Sequence, residues 1–315
     1  MTDWEKTIQG FTNYLKLERA MSPLTIKAYH HDVSRLGNYA CAINPPKHTP
    51  LILTQTDIEH FLAWASELYL GARSLSRTLS SIKAFYKYLI LEGLLRTNPA
   101  YHLESPRLPT TFPVVLSVEE VDMMLSTIDL SKPEGYRKKA LLEVLFSCGL
   151  RVTELCNLEI SQIIENEQFI RIVGKGNKQR LVPISAKALK DIAEYISYYR
   201  SHLVIDKFAS DILFLNKRGT RLSRISVFTF IKEMGDAAKI NKTISPHTLR
   251  HTFATILVEG GADLRAVQEM LGHESILTTE IYTHIDTNFL RQNIIDYHPR
   301  AIMYRDTDLA TLHEE

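Results

Sequence analysis

Apolar residues recur at α-helical spacing through the first hundred positions of the chain. Trp4, Ile8, Phe11 and Leu15 predict a first helix. Ser22 before Pro23 is typical of the start of a second helix, because proline is favoured at the first helical position. A third helix is predicted by the apolar set Ile58, Phe61, Leu62 and Ala65. A fourth, which would end at Glu92-Gly93, is predicted by the set Leu79, Ile82, Phe85, Tyr86 and Leu89. Residues 1–102 therefore predict a small helical domain.

The pattern changes after this domain. Residues 103–116 contain three prolines, which disfavour helix and favour extended chain, so we interpret this segment as an interdomain linker. Ser117 and Glu120 then have the spacing of a capping box and indicate the start of a second domain. We expect this domain to span 117–301, with 302–315 as a C-terminal tail.

The second domain is predicted to be mainly helical with one β element. Residues 169–173 and 180–184 alternate between polar and apolar, and the turn-forming residues 174–178 lie between them. This pattern predicts a hairpin with Lys175 near its tip. Later helices are predicted at roughly 186–200, 224–238, 248–259, 264–271 and 287–296. The predicted fold class is mainly α with a small β-sheet.

Composition narrows the cellular setting. With 45% hydrophobic and 23% charged residues, the 315-residue chain can bury real cores. Cys41, Cys148 and Cys156 are too few and too scattered for a disulfide framework or a zinc site, which favours a reducing compartment. The sequence has no apolar run of membrane-spanning length. We therefore expect a cytoplasmic protein with no membrane partner.

The charge of the chain does not by itself indicate nucleic-acid binding. The net charge is +1, so a DNA-binding surface would have to be built from local clusters. Candidate contacts are Lys178 and Arg180 beside the predicted turn, and Arg77 and Lys83 in the first domain. Taken alone, such a cluster is more typical of a solvated surface.

Six polar residues of the second half point to a specific chemistry; they are Arg151, Lys175, His247, Arg250, His273 and Tyr282. Two arginines can hold one phosphate by their fork geometry. Lysine and histidine can move protons, and tyrosine can attack phosphorus as a covalent nucleophile. Because no acidic cluster accompanies the set, it predicts a phosphoryl transferase that needs neither a metal ion nor another cofactor.

The order of these residues resembles that of the tyrosine recombinase (phage integrase) family, and is closest to its Xer branch. The resemblance covers nearly the whole chain. It includes Ser22-Pro-Leu-Thr25, Ser76-Arg-Thr-Leu-Ser-Ser-Ile-Lys-Ala-Phe-Tyr86, Asn98-Pro-Ala100 and Tyr297-His-Pro-Arg-Ala301. It implies a helical SAM-like core-binding domain and a mixed α/β catalytic domain that form a C-shaped DNA clamp.

The resemblance also implies a role for each site residue. Tyr282, nine residues after His273, would be the nucleophile that forms a 3′-phosphotyrosine. Lys175 would be the general acid for the 5′ oxygen; Lys178 is a rival that the family's turn disfavours. The division of labour between His247 and His273 stays open. Glu154, one helical turn after Arg151, either orients a neighbouring side chain or is merely solvated.

The implied activity is site-specific recombination through a Holliday junction, without ATP. The implied partners are a double-stranded DNA site and a homo- or hetero-tetramer, with a second Xer recombinase and a septal DNA translocase as further candidates. The expected role is resolution of chromosome dimers at cell division. The end of the chain would dock into a neighbouring protomer; the alternative is a terminal helix packed on its own domain.

Three other functions are compatible with part of this pattern. An integrase of a mobile element or phage would use the same chemistry, but many such integrases carry an additional arm-binding domain. A type IB topoisomerase shares the tyrosine chemistry but fits the two-domain pattern poorly. A DNA-binding protein that does not cleave is disfavoured by the intact set of six residues.

Overall fold

The chain divides into two compact units, residues 1–111 and 112–315, in a computed structural model. The structure describes residues 3–68, 71–106, 114–174, 179–272 and 287–302. Leu103 is buried in the core of the first unit and Leu116 in the core of the second. The bounds proposed for the linker, and the clamp arrangement of the two units, stay predictions.

The described part of the first unit is a bundle of four α-helices: α1 (Asp3–Leu17), α2 (Pro23–Ala42), α3 (Gln55–Glu67) and α4 (Ala72–Leu91). The start predicted for α2 is confirmed, because the Ser22 hydroxyl accepts a hydrogen bond from the Thr25 N–H (3.2 Å). The predicted apolar stripes meet in one core, where Phe11, Phe61 and Phe85 have no exposed surface. Burial of these stripes is the main source of stability for such a bundle.

The described part of the second unit is also mainly helical. Its helices are α5 (Val118–Ser126), α6 (Pro133–Cys148), α7 (Val152–Asn157), α8 (Ala186–Tyr198), α9 (Arg224–Ala237), α10 (Pro246–Gly260), α11 (Leu264–Leu271) and α12 (Thr287–Tyr297). The capping box at the start of α5 is confirmed: Ser117 Oγ accepts from the Glu120 N–H, and Glu120 Oε2 accepts from the Ser117 N–H. The second half of the central helix α6, residues 140–148, is buried on every side, which explains why it is apolar apart from Glu143 and Ser147.

A small antiparallel sheet lies in the second unit, with strands β1 (Ile163–Ile164), β2 (Phe169–Val173) and β3 (Gln179–Pro183) in the order β1-β2-β3. The predicted β2–β3 hairpin is confirmed, in a register that pairs Ile172 with Arg180. Directly paired residues of an antiparallel ladder point to the same face. Since Ile172 is buried, Arg180 points to the interior of the unit.

The last described helix packs on its own chain. Leu290 and Ile294 of α12 join a core cluster with Met270 and Leu271 of α11. The end of the chain is thus described as a terminal helix packed on its own domain. Downstream of α12, Arg300 is buried and its guanidinium donates to Glu143 (3.1 Å) of α6 and to Asp122 (2.5 Å) of α5.

No helix within the described ranges is both long enough and apolar enough to cross a membrane.

Candidate active site

A left-handed turn brings Arg151 to the start of α7. Helix α6 ends at Cys148 and is followed by Gly149, whose φ of 58° is disfavoured for residues with a side chain. A Cβ atom at this position would lie 2.4 Å from the Phe253 ring of α10, so only glycine lets the two elements approach. Arg151 follows as the N-cap residue of α7, and its side chain is 38% exposed. The turn therefore presents a partly open guanidinium beside α10.

Helix α10 carries the second arginine of the set. Its N-terminus is capped by Ser245, with Pro246 at the first turn. His247 is exposed on that first turn, and Arg250 is buried one turn later. Arg250 donates to the Gly149 carbonyl (2.7 Å), so α10 is tied to the turn that precedes Arg151. Burial, reinforced by the charge of Arg151, lowers the pKa of Arg250 to about 10, which still leaves it protonated at neutral pH.

Glu154 joins Arg151 to Arg180. Its Oε1 accepts from Arg151 Nη1 (2.8 Å) and Arg180 Nη1 (2.9 Å), and its Oε2 accepts from the Arg151 N–H (2.8 Å) and Arg180 Nη2 (2.8 Å). Burial opposes ionisation, but the hydrogen bonds and charge of Arg180 and then Arg151 outweigh it, and the pKa of Glu154 falls below its usual value. The Glu154 carboxylate is therefore not a solvated group: it is buried and bound to two arginines.

The C-terminal end of α11 is the meeting point of three arginines. Three successive backbone carbonyls each accept from a different guanidinium: Met270 from Arg180, Leu271 from Arg250 and Gly272 from Arg151. Helix C-termini favour positive charge, so this end is well suited to them. Three guanidinium groups against the single carboxylate of Glu154 leave two positive charges uncompensated within the described cluster. Such a cluster is suited to bind an anion.

Four of the predicted site residues lie outside the described residues: Lys175, Lys178, His273 and Tyr282. Their sequence neighbours are described. Gly272, whose carbonyl binds Arg151, directly precedes His273. Val173 and Gln179 are paired, and the segment between them in the sequence contains both lysines. The structure thus brings together Arg151, Glu154, Arg180 and Arg250, with His247 on the helix of Arg250. The catalytic roles stay predictions.

The candidate DNA contacts of the first unit both lie on α4. Arg77 is exposed and Lys83 is half-buried. Arg77 Nη2 lies 3.2 Å from the buried carboxylate of Asp32 on α2, which also accepts from the hydroxyls of Thr78 and Ser81. Three further cationic or titratable residues of α2 line a shallow depression beside Arg77: Lys27, His31 and Arg35. Sequence reasoning missed this use of Asp32, because one buried aspartate leaves no pattern.

Comparisons with known proteins cover both units. Residues 8–93 match the model described as "Phage integrase, N-terminal SAM-like domain", and residues 115–288 match the "Phage integrase family" model. The curated "Tyrosine recombinase XerD" of Chlorobaculum tepidum is 40% identical over 95% of this chain and 98% of its own. The protein of the same name from Staphylococcus haemolyticus is 40% identical over 94% of this chain and 100% of its own.

Solved structures share the fold at lower identity. The XerH recombinase bound to a palindromic difH substrate in a post-cleavage complex aligns with a TM-score of 0.69, at 22% identity, over 91% of this chain and 84% of that one. A lambda integrase (75–356) dimer bound to a COC′ core site aligns with a TM-score of 0.67, at 18% identity, over 87% of this chain and 96% of that one.

Proposed function

This chain belongs to the phage integrase family, as a site-specific tyrosine recombinase of the Xer branch, and from that premise we propose that it cuts and rejoins DNA through Tyr282. One observation carries the assignment of the site. Arg151 and Arg250, selected from sequence, converge with Arg180 on the end of α11, immediately before His273. The result is a positively charged cluster at the end of α11, and the segment that contains the proposed nucleophile follows it directly in the sequence.

The two arginines have donors left for a phosphate. Within the described contacts, Arg151 and Arg250 each use one N–H from each Nη. An arginine has further N–H donors on Nε and on both Nη atoms, and these are the ones we assign to the non-bridging oxygens of the scissile phosphate. Charge neutralisation by preorganised donors lowers the barrier to attack on a phosphodiester.

The proposed chemistry balances without a cofactor. The Tyr282 oxygen attacks phosphorus and loses its proton to a histidine, either His247 or His273. The bond from phosphorus to the 5′ oxygen breaks, and Lys175 gives that oxygen its proton. Religation is the reverse reaction with the 5′ hydroxyl of another strand. Because the phosphotyrosine retains the energy of the broken bond, ATP is not needed.

We assign the biological role from the relatives. Proteins named XerD align along almost the whole of this chain and of their own. The resemblance to the Xer branch implies a role in resolving chromosome dimers. We therefore propose chromosome dimer resolution, by four protomers on two DNA sites, with a second Xer recombinase and a septal DNA translocase as candidate partners. Footprinting on the host chromosome tests this: a single chromosomal site supports it, and sites at the ends of a mobile element support the integrase alternative.

A covalent adduct with DNA is the direct test of the chemistry. We expect the protein to become attached to a nicked suicide substrate carrying its site, in excess EDTA, and to migrate with DNA on a denaturing gel. Tyr282→Phe should bind the same DNA and form no adduct. Tyr297→Phe is the matched control and should react normally. It removes a hydroxyl from a residue of α12 that packs against the core cluster of Leu290 and Ile294. Normal adducts in Tyr282→Phe would assign the nucleophile elsewhere.

A further inference from the structure

We propose that Arg180 is a positioning residue of the active site, which holds Glu154 and the end of α11 so that Arg151 stays directed at the phosphate. This inference rests on the proposed function, since it concerns how the same site is kept in shape. Arg180 is separate from the set of six, and its charge and place beside the hairpin turn first indicated a DNA contact. Its surroundings indicate a different role.

The guanidinium of Arg180 is engaged inside the protein. Its Nη1 and Nη2 bind the two oxygens of Glu154 at 2.9 and 2.8 Å, and its Nε binds the Met270 carbonyl at 2.8 Å. Only 10% of the side chain is exposed, against 38% for Arg151. A bidentate pair with a buried carboxylate is among the stronger side-chain interactions, and separating it for a DNA phosphate would leave Glu154 poorly compensated.

Competition for Glu154 determines how much of Arg151 is free. Each carboxylate oxygen already receives one bond from Arg180, so Arg151 contributes only one guanidinium N–H and its backbone N–H to Glu154. If Arg180 were removed, both oxygens could turn to the guanidinium of Arg151 and form the fork-to-fork pair that the two groups favour. That pair would use the donors needed by the phosphate.

Arg180 also links the two segments that carry the remaining site residues. It lies on β3, two positions after Lys178 and five after Lys175, and it binds the carbonyl of Met270 three residues before His273. The approach is close: a Cβ on Gly272 would lie 3.1 Å from Arg180 Cδ, and Gly272 has a left-handed φ of 64°. A glycine at the end of α11 is therefore what allows the arginine to reach this helix end.

The test measures cleavage and binding separately in Arg180→Ala and Arg180→Lys. Lysine keeps the charge but cannot reproduce the fork. We expect both variants to bind the DNA site with unchanged affinity and salt dependence, and to cleave a suicide substrate about 10- to 100-fold more slowly at saturating protein. Arg171→Ala, an exposed arginine of β2, is the matched control and should cleave normally.

A double variant distinguishes positioning from simple loss of fold. Adding Glu154→Gln to Arg180→Ala removes the carboxylate charge that would capture Arg151, so part of the lost cleavage rate should return. Hydrogen exchange provides a readout without activity: amides of 268–272 should exchange faster in Arg180→Ala than in wild type.

Three results would overturn the inference: cleavage at the wild-type rate in Arg180→Ala; full rescue by lysine; or weaker binding with a salt slope reduced by about one, as expected for a lost phosphate contact. Failure of the proposed function is a separate outcome. In that case wild-type protein itself forms no adduct, and the exchange experiment still decides whether Arg180 holds the end of α11.

Discussion

Lys175 and Lys178 are three positions apart in the sequence between β2 and β3, and both are candidates for the proposed general acid. We expect Lys175→Ala to cleave normal DNA poorly and to recover on a substrate with sulfur in place of the 5′ bridging oxygen, because a thiolate leaves without needing a proton. The measurement is the single-turnover cleavage rate on both substrates. Lys178→Ala is the matched control, and sulfur rescue of that variant alone would transfer the role to Lys178.

His298 is a buried histidine that makes stability depend on pH. It accepts from the Arg300 N–H through Nδ1 (3.2 Å), so its Nε2 carries the proton directed at the Phe146 carbonyl (3.3 Å). Burial, with a smaller contribution from the charge of Arg300, lowers the pKa of His298 to about 4. In the unfolded chain a histidine titrates near ~6.5, so between these values the unfolded state binds more protons.

This histidine should therefore weaken the fold as the solution is acidified. Its contribution is fully present above about pH 6.5 and is lost at up to about 1.4 kcal/mol per pH unit as the pH falls towards 4. We expect His298→Gln, which keeps a donor but does not titrate, to show a smaller fall in unfolding free energy between pH 7 and pH 5. Urea unfolding at the two pH values measures it, and equal falls in both proteins would argue against this role.

Arg180 shows how far the sequence alone can predict the site. Charge and proximity to the turn suggested DNA contact, yet the alternation of β3 places Arg180 on the face of Val182 and Ile184, both of which are buried. That face was available in the sequence as a signal of an inward-pointing arginine. The Glu154 partner was not, because Glu154 and Arg180 are 26 positions apart and are brought together only by the tertiary fold.

At the level of elements, α2 and α4 are joined by the buried carboxylate of Asp32. We expect Asp32→Asn to reduce site-specific DNA binding several-fold, because Arg77 loses the charge that orients it, and to lower the stability of the first unit by about 1–3 kcal/mol. Gel shifts and urea unfolding measure the two effects. The double variant with Arg77→Ala should bind no worse than Arg77→Ala alone; additive losses would mean that the residues act independently.

Strong local signals explain which elements the sequence predicted well. The apolar stripes of α1 to α4, the serine caps of α2 and α5, and the alternation of the hairpin all act within a few residues. The short helix α7 and the two-residue strand β1 were not predicted, since six and two residues are too few to carry a period. Helix α10 begins at Pro246, two residues before the predicted start at 248, because Ser245 caps it and Pro246 is favoured in the first turn.

At the scale of the whole molecule, α12 and the residues after it complete the second unit. A chain ending at Asp286 loses Leu290 and Ile294, each worth about 1.5–3 kcal/mol of buried apolar surface, and removes Arg300 from the buried Glu143. We expect its second unit to unfold at clearly lower urea concentration than in the full chain. A chain ending at Ile302 is the matched control and should unfold like the full protein.

The same pair of truncations tests the neighbour-docking alternative. If the chain ending at Asp286 kept its unfolding midpoint but lost cooperative binding to paired half-sites, α12 would belong on another protomer. The packing described above is supported if the chain ending at Asp286 loses stability and the chain ending at Ile302 binds single sites as the full protein does. Composition and charge could not decide this question, because a terminal amphipathic helix carries the same pattern in either arrangement.

Proteins are synthesised from the N-terminus, and this order has a consequence for the buried Arg300. Glu143 leaves the ribosome long before Arg300, and the apolar faces of α10 and α11 emerge before Leu290 and Ile294 can cover them. The segment with the proposed nucleophile is translated between those two events. A nascent or prematurely ended chain that already carries Tyr282 therefore lacks the contacts of Leu290, Ile294 and Arg300 that complete the packing of the second unit.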